Sequence, residues 1–386
     1  MQSEVWFAMI RETMTPEERL EATLGLKPVD RVCCAPMIGQ YAGQYAGITN
    51  REFVWDWEKC MASVDRLHAD FPVWDCNGSL IELRYGPATK LAGGCRIKLP
   101  GEDLPDNAEY QMHETEIMTQ GDYAIIENEG FAEYQNVFLE RSHGVSREQV
   151  EEGKKLMHEK SLSAIERTRK RGQSVLWGPS YGNLPFDAFS MMRSIESFYM
   201  DMHKLKDKLL DYLQAANDHL IRSAVAAADR SGIRRVFVGG MRGSGQFIAL
   251  RHFDRFVWPF FKQMIEAFAA QNIVTVLHLD SDWTKNLEYF LELPPKSFVM
   301  QLDSATDIFK AKEILRGHCC LMGDVPAALL TVASPSEVDE YCRKLIDEVG
   351  RDGGYFYSVG CATPFNARHE NMRVFFDAVE KYGVYC

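Results

Sequence analysis

No apolar run in this chain approaches the roughly 20 residues that a membrane-spanning helix needs. The best, residues 273–279 (IVTVLHL), is the size of a strand. There is no basic block either. Against 43 Lys+Arg stand 55 Asp+Glu, a net charge of −12, which makes nucleic acid and anionic membrane poor partners. The opening MQSEVWFAMIRETMTPEERL carries acids early and lacks an apolar stretch before a small-residue cleavage site. A cytoplasmic location is the expectation. Ten cysteines are present but no Cys-x-x-Cys pair, which argues against a zinc ribbon or a thioredoxin-like centre. In the cytoplasm they read as reduced thiols, not as a disulfide framework. Internal repeats, low-complexity tracts and interdomain linkers are missing too.

What is there suits a globular chain: 386 residues, 46% hydrophobic and 25% charged, with ample material for a core. Eight short runs read as strands: residues 32–37 (VCCAPM), 71–75 (FPVWD), 174–177 (SVLW), 235–238 (RVFV), 273–278 (IVTVLH), 297–302 (SFVMQL), 319–322 (CCLM) and 355–359 (YFYSV). They are almost continuously apolar, as strands covered on both faces of a parallel sheet are. Helical spacing separates most of them. Leu205, Leu209, Leu213 and Leu220 mark one helix over about 197–228, and Phe253 to Phe268 mark another with Pro259 as a kink. Further helices are expected over 305–315, over 335–349 behind a Ser334 N-cap, and over 369–382. Eight strands alternating with helices predict an α/β chain folded as a single (β/α)8 TIM barrel. Residues 83–145 are too long for one connection. Strand-like runs at 123–127 and 133–138 suggest an inserted β-ribbon excursion over the barrel mouth.

In such a barrel the active site lies at the C-terminal ends of the strands. Those ends supply Met37, Asp75, the loop Gly239-Gly240-Met241-Arg242, His278, Asp280, Asp303, Asp324 and Cys361. Asp303, Ser304 and Asp324 also read as helix caps. His278 and Asp280 are two apart on a strand and so share a face. With Cys361 they make three residues of zinc-ligand type, and three ligands with an open fourth position describe a catalytic zinc. The alternative is a hydrogen-bonded His–Asp pair beside a buried thiol. The Cys33-Cys34 and Cys319-Cys320 pairs alternate faces and read as buried thiols. The glycine loop lacks a phosphate-loop Lys-Ser/Thr; its glycines permit a tight turn, or its Arg242 offers a cation to a developing oxyanion. Asp75, Tyr181 and Met37 are the candidate substrate contacts.

TPEERLEATLGLKPVDRVCCAPM resembles the opening of the uroporphyrinogen decarboxylase superfamily. ALRHFDRFVWPFFKQMIEAF resembles its Pro-kinked helix, and LMGDVPAALLTVASPSEVDEYCRKLIDEVGRDGGYFYSVGCATPFNARHENMRVFFDAVEKYG its last third. The resemblance implies one such barrel over residues 1–386, with an insertion at about 83–145. It also implies a choice between two chemistries. Porphyrinogen decarboxylases carry an Arg-rich Met-Arg-Gln-Ala-Gly-Arg segment after the first strand. Here Met37-Ile38-Gly39-Gln40-Tyr41-Ala42-Gly43 has no Arg. The corrinoid-linked methyltransferases carry a His-x-Cys zinc pair and a later Cys. His278 and Cys361 match the outer members, and Asp280 stands in place of the middle Cys.

The resemblance therefore implies methyl transfer from a methylated small molecule, foremost an aryl methyl ether (O-demethylation in an anaerobe), to the cobalt(I) of a separate corrinoid protein. No Asp-x-His-x-x-Gly cobalamin motif occurs, so the corrinoid would arrive on that partner. Zinc is the expected metal, held by His278, Asp280 and Cys361. His278, Asp280 and Arg242 are the expected catalytic groups. Transfer from methylcorrinoid to a thiol or folate, a uroporphyrinogen decarboxylase-like lyase with Asp75 or Asp280 as acid, and a non-enzymatic corrinoid-binding barrel are the alternatives. A homodimer is compatible with the chain.

Overall fold

A computed structural model describes residues 12–78, 86, 94–179 and 181–385. Among these no helix is long and apolar enough to cross a membrane. The strands are β1 (Cys33–Cys34), β2 (Cys76–Asn77), β3 (Arg96–Lys98), β4 (Gln111–His113), β5 (Ser174–Val175), β6 (Tyr181–Asn183), β7 (Arg235–Gly240), β8 (Val274–Leu279), β9 (Phe298–Leu302), β10 (Cys320–Val325) and β11 (Tyr355–Val359). Seven form one sheet in the order β1-β11-β10-β9-β8-β7-β6, and β2 pairs with β5. All of these pairings are parallel. The Asp75 N–H donates to Cys34 O at 2.9 Å, and the Gly178 N–H to Arg235 O at 2.9 Å. These bonds set β2 beside β1 and the residues after β5 beside β7. The sheet is that of a (β/α)8 barrel, with β5 and β6 as two halves of its third strand.

Helices cover the outside because their apolar residues recur every three to four positions. The His369–Tyr382 helix falls where the spacing placed it. The expected 197–228 helix is two, Ile195–Lys204 and Asp207–Ser231, broken at Lys206 with a positive φ of 47°. The Pro259 region is also two helices, Leu250–Phe256 and Trp258–Ala269. The helix expected from residue 305 starts at Ile308, capped by Asp307.

The Pro16–Leu24 helix, opened by a Thr15–Glu18 capping box, lies across the N-terminal end of the barrel. Glu21 pairs with Arg235 at the start of β7 at 3.0 Å. The Cys320 thiol, at the start of β10, donates to Thr23 O at 3.1 Å. At the other end sits part of the insertion. It does hold an antiparallel ribbon, β3 with β4. The runs expected to extend that ribbon are instead helices, Tyr123–Glu129 and Phe131–His143. Phe131, Tyr134 and Phe138 are buried at helical spacing. That burial outweighs the β-propensity of the Ile125-Ile126 pair.

Candidate active site

Parallel register fixes one level of the barrel wall. Asn183 pairs with Gly239, Gly239 with His278, and His278 with Gln301. Residues paired in this way face the same side. That side is the interior, because His278 reaches a residue three strands away: its Nε2 lies 3.4 Å from Cys361 Sγ, beyond the end of β11. Gln301 likewise reaches Met37 beyond β1, with its Nε2 2.9 Å from the thioether sulfur. Phe237 stacks on the His278 ring with centroids 5.5 Å apart. Gly239 brings no side chain to this level, and the Asn183 carboxamide fills the space beside it. A Cβ there would lie 2.7 Å from Asn183 Oδ1.

Two residues beyond His278, Asp280 Oδ1 sits 3.2 Å from the same Nε2. One donor atom each from His278, Asp280 and Cys361 lies within 4.8 Å of the others. The imidazole is buried, while the carboxylate and thiol are open to the mouth. Burial pulls the His278 pKa down, but the charges of Cys361 and Asp280 and their hydrogen bonds overcome it and hold it well above its ordinary value. Burial pushes Asp280 up, and the facing His278, with the Cys361 hydrogen bond, holds it below its ordinary value. With the proton removed from the imidazole and the thiol, the three groups at this spacing could serve as donors to a four-coordinate metal with one position left open.

The loops around this cluster are tied to one another. Asp187, in the Pro185–Met192 helix, accepts the Met241 and Arg242 N–H groups on Oδ1 at 3.1 and 2.5 Å. Its Oδ2 is buried without a partner, and burial pushes its carboxyl up to about 6. The Ser281 hydroxyl donates to Met241 O at 2.7 Å, and its N–H donates to Asp303 at 2.8 Å. Asp303 thus steadies the loop after β8; its other oxygen accepts the Ala305 N–H. Asp324 caps no helix and instead accepts the Tyr341 hydroxyl at 2.8 Å.

Two of the sequence expectations change here. Asp75 does not reach the mouth. It stands just before β2, at the N-terminal end, fully buried between Arg19 and Arg31. The strand begins at Cys76, five residues later than its apolar pattern suggested, which moves Asp75 from the exit to the entrance and removes it from the substrate contacts. Arg242 does lie in the loop after β7, but its guanidinium turns to Glu114, just past β4, and to Ser190 O at 3.0 Å. Its charge is matched by the ribbon and makes no contact with His278. The backbone of Tyr181 is in β6, and its side chain lies outside the described residues. Met37 is buried beside Gln301.

The sequence reading passed over Asn183, Gln301, Asp187, Gln40 and Thr363. Gln40 and Thr363 flank the Met37–Ala362 bridge, and their buried side-chain polar atoms have no partners. Gln301 did carry a signal, as the lone polar residue in the run FVMQL. A cavity of about 410 Å³ lies elsewhere, among Phe131, Phe138, His219, Leu220 and Met264, with β6 as one wall. It holds none of His278, Asp280 and Cys361, though Asn183 is among its lining residues.

A parallel barrel with a histidine, a carboxylate and a thiol converging at its mouth could hold one metal ion or form one proton-sharing cluster. The chain belongs to the uroporphyrinogen decarboxylase (URO-D) family, whose model matches residues 126–382. A uroporphyrinogen decarboxylase of Pseudoalteromonas atlantica is 22% identical over 190 residues, 49% of each chain. The match thus spans about half the length of that relative. Among solved structures, a methyltransferase from Methanosarcina mazei superposes with a TM-score of 0.67 at 18% identity, covering 96% of this chain and 99% of that one.

Proposed function

We propose that this chain transfers the methyl group of a neutral methyl ether, foremost an aryl methyl ether, to the cobalt(I) of a corrinoid carried by a separate protein. The convergence of His278, Asp280 and Cys361 within 4.8 Å carries the reading. The fold shared with the Methanosarcina mazei methyltransferase supports it. So does the absence of arginine after β1, in the segment 37–43.

In the reaction the carbon–oxygen bond of the ether breaks and its electron pair stays on oxygen. Cobalt(I) supplies both electrons of the new cobalt–carbon bond, and the phenolate takes a proton from water on release. The barrier lies in the poor leaving oxygen, so stabilising that oxygen is the task of the site. The three side chains fit zinc by donor type, and such an ion supplies the Lewis acid for the leaving oxygen. The chain's own part is to fix its donors. β8 holds His278 and positions Asp280 just past its end, the hydrogen bond from the Asp280 N–H to Gly240 O holds the strand end, and Phe237 packs against the imidazole.

The test is metal content and cobalt(I) methylation. Protein purified without chelator should carry near-stoichiometric zinc and consume cobalt(I) cobalamin in the presence of 2-methoxyphenol. Cys361→Ala and His278→Ala should each lose both, since three ligands cannot spare one. Metal-free protein that works at full rate would sink the zinc reading and leave Asp280 as a general acid.

A further inference from the structure

Two carboxamides share the interior level of His278 and have no oxygen or nitrogen partner. Gln301 is fully buried and Asn183 is 7% exposed. The Gln301 oxygen and the Asn183 oxygen accept nothing. Their nitrogens meet only thioether sulfurs, Met37 Sδ for Gln301 and Met191 Sδ at 4.0 Å for Asn183, and thioethers are weak acceptors. Buried polar groups are otherwise almost always paired, and an unpaired one costs about 1–3 kcal/mol. Adjacent strands lie about 4.8 Å apart. Gln301 is one such spacing from His278 on one side, and Asn183 is two on the other, across Gly239.

We propose that Asn183 and Gln301 are the substrate-recognition pair of this site, and that they select a neutral ligand bearing a hydroxyl beside the reacting group. The assignment rests on the proposed methyl-transfer site and names its substrate class. A carboxamide offers both a donor and an acceptor but no charge, which suits a hydroxyl or ether oxygen. The charges around the level disfavour an anion. Asp280, Asp187 and Asp303 surround the mouth, and the guanidinium of Arg242 is already engaged by Glu114.

The experiment measures binding to the zinc-loaded full chain by calorimetry, with no corrinoid present. Three probes are compared: 2-methoxyphenol, methoxybenzene and 3-methoxybenzoate. The wild type should bind 2-methoxyphenol about tenfold or more tighter than either of the others, because a site built to hydrogen-bond a hydroxyl rejects its absence. Gln301→Met and Asn183→Leu should bring the ratio of 2-methoxyphenol to methoxybenzene close to one, with zinc content unchanged and melting temperature unchanged or raised. A gain in stability with a loss of discrimination is the signature of a polar group kept for a ligand. An unchanged ratio in both variants would overturn the proposal, as would a wild type that binds none of the probes. Loss of zinc in Gln301→Met would reassign Gln301 to orienting His278. Failure of cobalt(I) methylation with the binding ratios intact would sink the methyl-transfer reading alone.

Discussion

Arg19, Arg31 and Asp75 beneath the barrel are as deeply buried as Asn183, Asp187 and Gln301 at its mouth. The two groups differ in what meets them. Asp75 accepts from Arg19, from Arg31 at 2.7 and 3.0 Å, and from the Cys34 N–H at 2.9 Å. Arg19 also holds Asp30, at 2.8 and 2.9 Å, and Met14 O. At the mouth, by contrast, one oxygen each of Asn183, Asp187 and Gln301 meets nothing, and neither does His278 Nδ1. The same expense of desolvation is balanced at one end and left open at the other. The closed end holds the fold; the open end is shaped for something that arrives later.

The harshest way to break this contrast is Asp75→Ala. It leaves two buried guanidiniums with only their outer carboxylates, Asp30 for Arg19 and Glu12 for Arg31, and breaking a buried pair costs about 3–5 kcal/mol. Chemical denaturation should register that loss directly, and a loss under about 1 kcal/mol would mean that the lower cluster is not what holds the end shut.

Asp187→Asn sharpens the other side. Its carboxyl is raised from 3.8 to about 6, so the folded chain keeps a proton that the unfolded chain has already released. Stability from this group therefore falls as pH rises from about 4 to 6, by about 3 kcal/mol in all. The Asn variant keeps an acceptor for Met241 and Arg242 and should lack that fall. Melting curves of both proteins across that range decide the matter, and parallel curves would refute it.

Gly239→Ala is a smaller blow. The new methyl would press on Asn183 Oδ1. Overpacking of this kind costs about 1–3 kcal/mol, and ligand binding should suffer with it. The least effect belongs to Glu114→Gln. Its pair with Arg242 is partly exposed and is worth about 0–1 kcal/mol. A melting shift beyond a few degrees would show that the ribbon is anchored more firmly than one surface pair allows.

The barrel itself was legible in the sequence because buried parallel strands are written as apolar runs, and seven of the eight runs overlap observed strands. The exception explains the Asp75 error. Phe71, Val73 and Trp74 look like strand residues but precede β2, and nothing local shows that Arg19 and Arg31, 56 and 44 residues earlier, enclose the carboxyl. The pairing of His278 with Asp280 was legible from strand alternation, and the place of Cys361 beside them from its position at the end of the last barrel strand and from the family resemblance. Helices at 123–143 were misjudged from β-branched residues, although the 131, 134, 138 spacing was present. Asn183 left no pattern at all, since its neighbours on the level belong to other strands.

The cysteines give the molecule a built-in reporter. Eight of the nine described cysteines are buried, and Cys361 alone among them is exposed. Air oxidation or an alkylating reagent, both of which act by access as well as by thiolate character, should therefore strike the site before any other described cysteine. Among the described cysteines, sensitivity to oxygen would be set at one sulfur atom. A molecule seated between Cys361 and His278 would slow that strike, so peptide mapping after brief alkylation measures how much of the site is free, with no turnover assay at all.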